Sequence, residues 1–311
     1  MTSPQRSEGD RRLIVEVRWG PLAHHRAVLE PGGVLQVGRG EKVDLSIPHD
    51  EQLEPLHFEL SWDGTTCGLK DLDSRRGVLL GGRFVERGSV PHGGWVRAGR
   101  TDFSVYFEAA TPPRPPKQPE SEQEKDFKER ALASLRNAPG SLFALLDAAR
   151  DERILELLRE SVEEYRSLYE GPQGEVLAEV APYLVRLPKD SRLLQSLVGE
   201  GWGRSWGVFL CCEQQSLKEL SRHFRHFLMV QGPEGKPLYF RFYDPRVLGV
   251  FLSTCGAPDA LRFFGPIRAF LLEGYEPGVM RRLRVHSEGV WDETWRLGEE
   301  IPTAQVSPQR Q

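Results

Sequence analysis

Three stretches in the first third of the chain repeat at period two. Leu13, Val15, Val17 and Trp19 fall on one face, with Ile14, Glu16 and Arg18 between them. Phe58, Leu60 and Trp62 alternate with His57, Glu59 and Ser61, and Phe103, Val105 and Phe107 repeat the pattern. In a strand, successive side chains point to opposite sides, so each run predicts a strand with one face in a core. Gly and Asp clusters punctuate the runs. Many short strands so interrupted predict an all-β sandwich.

Later the period changes. Ile154, Leu155, Leu157 and Leu158 fit an amphipathic helix that follows the apolar run 142–146. Ser216 and Glu219 have the spacing of a capping box, and Leu217, Leu220, Phe224 and Phe227 then recur at helical spacing. Strand-like runs occur at 183–187, 208–211 and 238–243, which makes this region α+β. The expected organisation is a multidomain chain: a sandwich at 12–108, a linker at 109–126, an α+β domain at 127–297 and a tail at 298–311. The linker combines prolines and charges with few apolar side chains, so it buries too little to offset ordering and stays extended. The tail has a similar composition and is expected to be disordered.

Composition narrows the function classes. The 311 residues carry a formal net charge of -4 with both signs scattered, whereas a nucleic-acid binder would show a basic face. No apolar run approaches the ~20 residues that span a bilayer. The first residues have no apolar segment behind their charges, so no secretory signal is expected there. The four cysteines are Cys67, Cys211, Cys212 and Cys255. Their only neighbours are adjacent in sequence, where a disulfide would close a strained ring. Reduced cysteines packed as small apolar groups fit a cytoplasmic protein.

Within the sandwich, Gly38-Arg39 follows an apolar strand, with Asp44-Leu45-Ser46-Ile47-Pro48 close behind. His57 opens the next strand, and Asp71-Leu72-Asp73-Ser74 leads through Arg76-Gly77 to a Gly-rich hairpin. This order resembles the forkhead-associated (FHA) family, a β-sandwich whose loops bind phosphothreonine. A phosphate dianion needs a guanidinium, hydroxyl donors and backbone amides on a rigid loop. The resemblance implies Arg39 and Ser74 as donors. At two further positions the chain departs: Glu54 stands where the family has serine, and Arg76 where it has asparagine. A carboxylate at 54 repels phosphate and favours an ion pair with Arg39 or Arg76, while Arg76 offers a second grip. Three readings stay open: phosphothreonine binding, a repurposed protein-docking surface and a structural module. His57 is expected to order its loop by hydrogen bonds.

The second domain holds four ordered segments, at 143–151, 179–187, 201–209 and 239–248. Together they resemble the adaptor or chaperone domains of bacterial type VI secretion effectors. Phe240 and Phe242 alternate with Tyr239, Arg241 and Tyr243, which predicts a strand ending at Asp244-Pro245. Val247, Leu248, Phe251 and Leu252 then have the spacing of a short helix facing the core. Arg241, Asp244 and Arg246 are expected either to form an ion-pair network at this corner or to contact a partner. Trp202 and Trp206, flanked by glycines and Arg204, either anchor an interface or line a loop entering a buried strand. His223 and His226 share a helix face, but no third ligand accompanies them, so no metal is expected. Asp147, Glu179 and Asp244 have no motif that poises them for acid–base work, and no nucleophile elbow or phosphate loop occurs. No enzyme and no cofactor is expected. The resemblance implies an adaptor that binds a type VI effector and helps load it on the spike protein, with the sandwich docking another component. The alternative is a phosphothreonine-dependent regulatory scaffold.

Overall fold

The structure is a computed structural model and describes residues 10–19, 21–115, 119–231 and 235–298. The described residues form two compact units, one within 10–112 with 159–162, the other within 113–158 with 163–298. The predicted tail, apart from Gly298, and part of the linker lie outside the described residues. Among those described, no helix is long and apolar enough to cross a membrane.

The first unit is a β-sandwich. Its strands are β1 (Leu13–Val17), β2 (Arg26–Leu29), β3 (Val34–Gly38), β4 (Leu45–Ser46), β5 (Phe58–Trp62), β6 (Cys67–Asp71), β7 (Val78–Leu80), β8 (Arg83–Val85), β9 (Arg87–Val90), β10 (Gly94–Ala98) and β11 (Thr101–Phe107). One sheet runs β2-β1-β11-β10-β7-β8, the other β4-β3-β5-β6-β9, and only β3 with β4 pairs parallel. Val15, Val17, Phe58, Leu60, Trp62, Phe103 and Val105 meet in the core between them, as period two requires. Trp19 lies past the end of β1 and is exposed, which corrects its place in the first run. Asp50 is a buried polar staple: its carboxylate accepts from Gln52 N at 3.0 Å, Arg100 N at 2.7 Å and Thr101 Oγ1 at 2.8 Å.

The second unit is three-layered. Its elements are α1 (Glu122–Arg136), β12 (Ser141–Asp147), α2 (Glu152–Arg159), β13 (Tyr165–Ser167), α3 (Gly171–Val176), β14 (Pro182–Leu187), α4 (Arg192–Gly201), β15 (Gly207–Cys212), α5 (Leu217–Arg225), β16 (Met229–Gln231), β17 (Pro237–Tyr239), α6 (Pro245–Thr254), α7 (Ala257–Phe264), β18 (Ile267–Glu273), β19 (Val279–His286) and β20 (Gly289–Arg296). A seven-stranded antiparallel sheet, β13-β14-β12-β15-β18-β19-β20, has α1, α2 and α4 on one face and α5, α6 and α7 on the other. Being covered on both faces, β12 and β15 carry unbroken apolar runs instead of an alternating pattern. Cys211 and Cys212 are thereby separated: Cys211 packs with the first helix set and Cys212 with the second, both as free thiols. Burial pushes Cys211 up to about 11 and Cys212 up to about 12.

Two expectations need correction. Helix α1 begins at Glu122, inside the predicted linker, because Ser121 and Glu124 form a reciprocal capping box. The strand predicted at 238–243 ends at Tyr239: Phe242 and Tyr243 both turn into the core, and Phe242 stacks on Phe224 at 5.4 Å.

Candidate functional site

The loops of the first unit converge on His57, which is fully buried. Its Nδ1 accepts from Glu54 N at 3.0 Å, so Nε2 carries the proton and donates to Gly77 O at 3.3 Å. One ring therefore fixes the loop before β5 to the loop before β7, as expected of an ordering residue. The loop after β3 is stitched to the same place: Arg39 N donates to Glu54 O and Gly40 N to Pro55 O, each at 3.0 Å. A Cβ at Gly38 would collide with the Pro55 carbonyl oxygen, so glycine permits this close approach. In the third loop Ser74 N donates to Asp71 Oδ1 at 3.1 Å, and Gly77 takes a φ of 69°.

These loops present Arg39, Arg75 and Arg76 as exposed side chains beside Glu54. The ion pair expected for Glu54 forms with a different residue: Arg75 Nε stands 3.7 Å from Glu54 Oε1, while Arg39 and Arg76 do not pair with it. Arg75 was missed by motif matching, although the adjacent Arg75-Arg76 pair in the sequence signals a doubled positive charge at this loop. Ser74 Oγ is buried and has no hydrogen-bond partner. The surface thus combines three guanidiniums and one carboxylate, with the unused Ser74 hydroxyl buried in the third loop.

The candidate residues of the second unit have a different fate. Trp202 and Trp206 are both buried, at 9% and 4% exposure. A Cβ at Gly201 would strike the Trp206 ring, and one at Gly207 would strike Leu145 O. The glycines therefore let the tryptophan corner seat against α4 and the end of β12, and the motif lines a loop entering a buried strand. Arg204 remains exposed between them. Glu273 faces the same small cavity as Trp202 and Trp206 and accepts from Ser205 N at 3.2 Å. Burial pushes its carboxyl up to about 7.

At the second corner, Asp244 caps α6 by accepting from Arg246 N at 3.0 Å, with Pro245 in the first turn. Arg246 Nη2 also donates to Asp244 Oδ2 at 2.6 Å. Burial works to raise Asp244, but these hydrogen bonds hold it below the usual carboxylate range. Arg241 departs from the expected network and reaches the buried Asp147 on β12 instead. Leu248 and Leu252 face the core, Phe251 is partly buried, and Val247 is exposed at 36%. Glu179 is exposed. His223 Nε2 donates to Phe263 O and His226 Nδ1 donates to Arg222 O, each at 2.7 Å, so the two do not converge. Among the described residues no group of three or more His, Cys, Asp or Glu could hold a metal.

Residues 35–99 match the FHA domain family, and residues 142–261 match DUF4123, a domain of unknown function. Solved structures similar to this chain include the FHA domain of the CT664 protein from Chlamydia trachomatis. It is 20% identical, covers 30% of this chain and 96% of that one, and has a TM-score of 0.29. An FHA domain of an Arabidopsis thaliana protein is 21% identical over 37% and 100% of the two chains, with a TM-score of 0.31. The first FHA domain of Rv1747 from Mycobacterium tuberculosis is 22% identical over 31% and 98%, with a TM-score of 0.27. No curated protein matches the chain. The chain thus joins an FHA domain to a DUF4123 domain.

Proposed function

We propose that this protein is a cytoplasmic adaptor of type VI secretion, whose DUF4123 domain holds one cognate effector and helps load it on the spike protein. The observation that supports this most is the covalent pairing of the two matched domains. One is an interaction module, and the other matches DUF4123 over residues 142–261, where four ordered sequence segments resemble type VI effector adaptors. An adaptor works by complementarity between surfaces and needs no reactive group. The FHA domain docks a further component through Arg39, Arg75 and Arg76, with Glu54 at the centre. Trp202, Trp206, Arg241, Asp244 and Arg246 act by shaping the second domain, while Arg204 is exposed for contact.

A second reading is favoured by three exposed guanidiniums, at Arg39, Arg75 and Arg76, and by an unpartnered Ser74 hydroxyl in the loop that carries two of them, the donor types a phosphate dianion takes. In it the chain is a phosphothreonine-dependent scaffold of the secretion apparatus. Purification of the full chain with the effector encoded beside it separates the two. Capture that survives Arg39→Ala and phosphatase treatment supports the adaptor. Capture lost under both supports the scaffold, and no capture at all defeats the adaptor reading.

A further inference from the structure

We propose that the ribbon β16–β17 is the surface by which the DUF4123 domain grips its effector, taking an apolar segment flanked by Asp or Glu. This deepens the adaptor reading and rests on it. All six ribbon residues are exposed. Met229 pairs across the ribbon with Tyr239, and Val230 with Leu238. Neighbouring pairs point to opposite faces, so both faces of the ribbon are apolar and neither is turned into the core. The four side chains are 44%, 59%, 42% and 50% exposed in that order.

An isolated two-stranded ribbon is marginal in water, so its position has to come from its base. Phe240 N donates to Leu228 O at 2.9 Å, and the Phe240 ring lies 4.7 Å from Phe251 and 5.6 Å from Phe242. Tyr239 adds a contact to Tyr169 at 5.8 Å. The base is therefore part of the aromatic core, and the apolar blade projects from a fixed root.

Charge selects the occupant. Of the eight Lys and Arg between residues 214 and 268, Arg225, Arg241, Arg246 and Arg268 are ion-paired with Glu170, Asp147, Asp244 and Glu213. Arg222 and Arg262 are exposed and stand in no such ion pair among the described residues, and the Arg262 guanidinium lies 6.0 Å over Phe227, whose ring meets Phe263 as the Phe240 ring of the root does. An apolar centre with a basic rim complements an apolar segment with acidic flanks, because potential matching fixes partner and register while apolar contact supplies affinity. A nucleic acid would leave the apolar blade unused.

The test pans random peptides displayed on phage against the full chain, then measures the selected peptides on variants. Three are compared: Val230→Ser with Leu238→Ser, Met229→Ser with Tyr239→Ser, and Arg222→Glu with Arg262→Glu. All sites are exposed, and unchanged thermal melting verifies folding. The expected peptides combine large apolar residues with Asp or Glu, and bind at least about tenfold more weakly to an apolar pair variant and to the charge variant. Peptides without acidic residues, or affinities that none of the variants changes, overturn the proposal. So does self-association, or sedimentation with phosphatidylserine vesicles, that the apolar variants abolish, since the ribbon then serves a second copy or a lipid surface. If the effector itself binds wild type and the variants alike, the adaptor reading stands and this surface falls. If the effector binds neither while acidic-apolar peptides behave as expected, the adaptor reading falls and the effector falls as the occupant with it, leaving the ribbon a docking surface for another acidic-apolar partner.

Discussion

The candidate residues of the two domains are spent in opposite ways. In the FHA domain, the buried residue is the support and the charged residues are the surface. His57 is consumed by Glu54 N and Gly77 O, leaving Arg39, Arg75 and Arg76 exposed at loop tips. In the DUF4123 domain the distinctive residues are themselves the support. Trp202 and Trp206 fill the interior, Asp244 caps a helix, and Arg241 is tied to Asp147. A motif therefore marks a contact surface only when the structure leaves its side chains unspent. For the second domain that points away from its most recognisable residues and toward less distinctive ones, such as the ribbon.

The sharpest way to break this contrast is Trp206→Ala. Removing a buried indole costs about 3–5 kcal/mol, because the transfer energy is lost and a cavity remains. Denaturant unfolding of the full chain should show the second domain destabilised and the first unchanged. If stability is retained while partner capture disappears, the tryptophan corner is a contact after all.

Glu273 tests the same corner by pH. Its folded pKa of about 7 lies above the ordinary value of 4.5, so the folded state holds a proton the unfolded state has released. Stability conferred by this group is therefore full below about pH 4.5 and declines as pH rises toward 7. At about 1.4 kcal/mol per unit, the loss over this shift is about 3–4 kcal/mol. Glu273→Gln keeps an acceptor for Ser205 N and removes the charge. Thermal melts across this range should flatten relative to wild type, with the variant the more stable above neutrality. A parallel pH dependence in both proteins defeats the assignment.

What the sequence discloses follows from burial. The sandwich is legible because its core-facing residues keep strict period two, as at Phe58, Leu60 and Trp62, even though Ile14 and Glu16 on the other face of β1 are buried as well. β12 is not, since a strand covered on both faces reads as the continuous run 142–146 with nothing to tell it from a helix. Phe240 and Phe242 imitate alternation, yet the chain turns between them and both rings enter one aromatic cluster. At the sites, the positions Arg39, Glu54 and Ser74 follow from motif order, but the partner of Glu54 depends on loop geometry, and Arg75 wins over Arg39 and Arg76. Arg241 likewise finds Asp147, 94 residues away, where sequence proximity favours Asp244.

A smaller effect is expected from His57→Ala. Glu54 N and Gly77 O lose their partner, at a cost of about 2 kcal/mol to the first domain. The larger consequence should be local: hydrogen exchange at the amides of 54, 56, 57 and 74–77 should quicken while the sheets stay protected. Uniform loosening of the whole sandwich would mean that His57 holds the core and not the loops.

Glu54→Ser has the smallest expected energy and the most to say about the first domain. Glu54 is partly exposed and its pair with Arg75 is at the surface, so stability should move by no more than about 0.5 kcal/mol. Toward a phosphothreonine peptide the change removes a like charge, frees Arg75 and supplies a hydroxyl donor. In a solvated site a close like-charge contact is worth about 1 kcal/mol, so affinity should rise about fivefold. Calorimetric titration of wild type and variant with phosphorylated and unphosphorylated peptides reads this directly. If wild type binds the phosphorylated peptide as tightly as the variant, Glu54 is no obstacle and the scaffold reading gains. If the variant binds it and wild type does not, a single carboxylate has turned the loops of a phosphate reader toward unmodified partners, and Arg39, Arg75 and Arg76 remain available for an acidic partner.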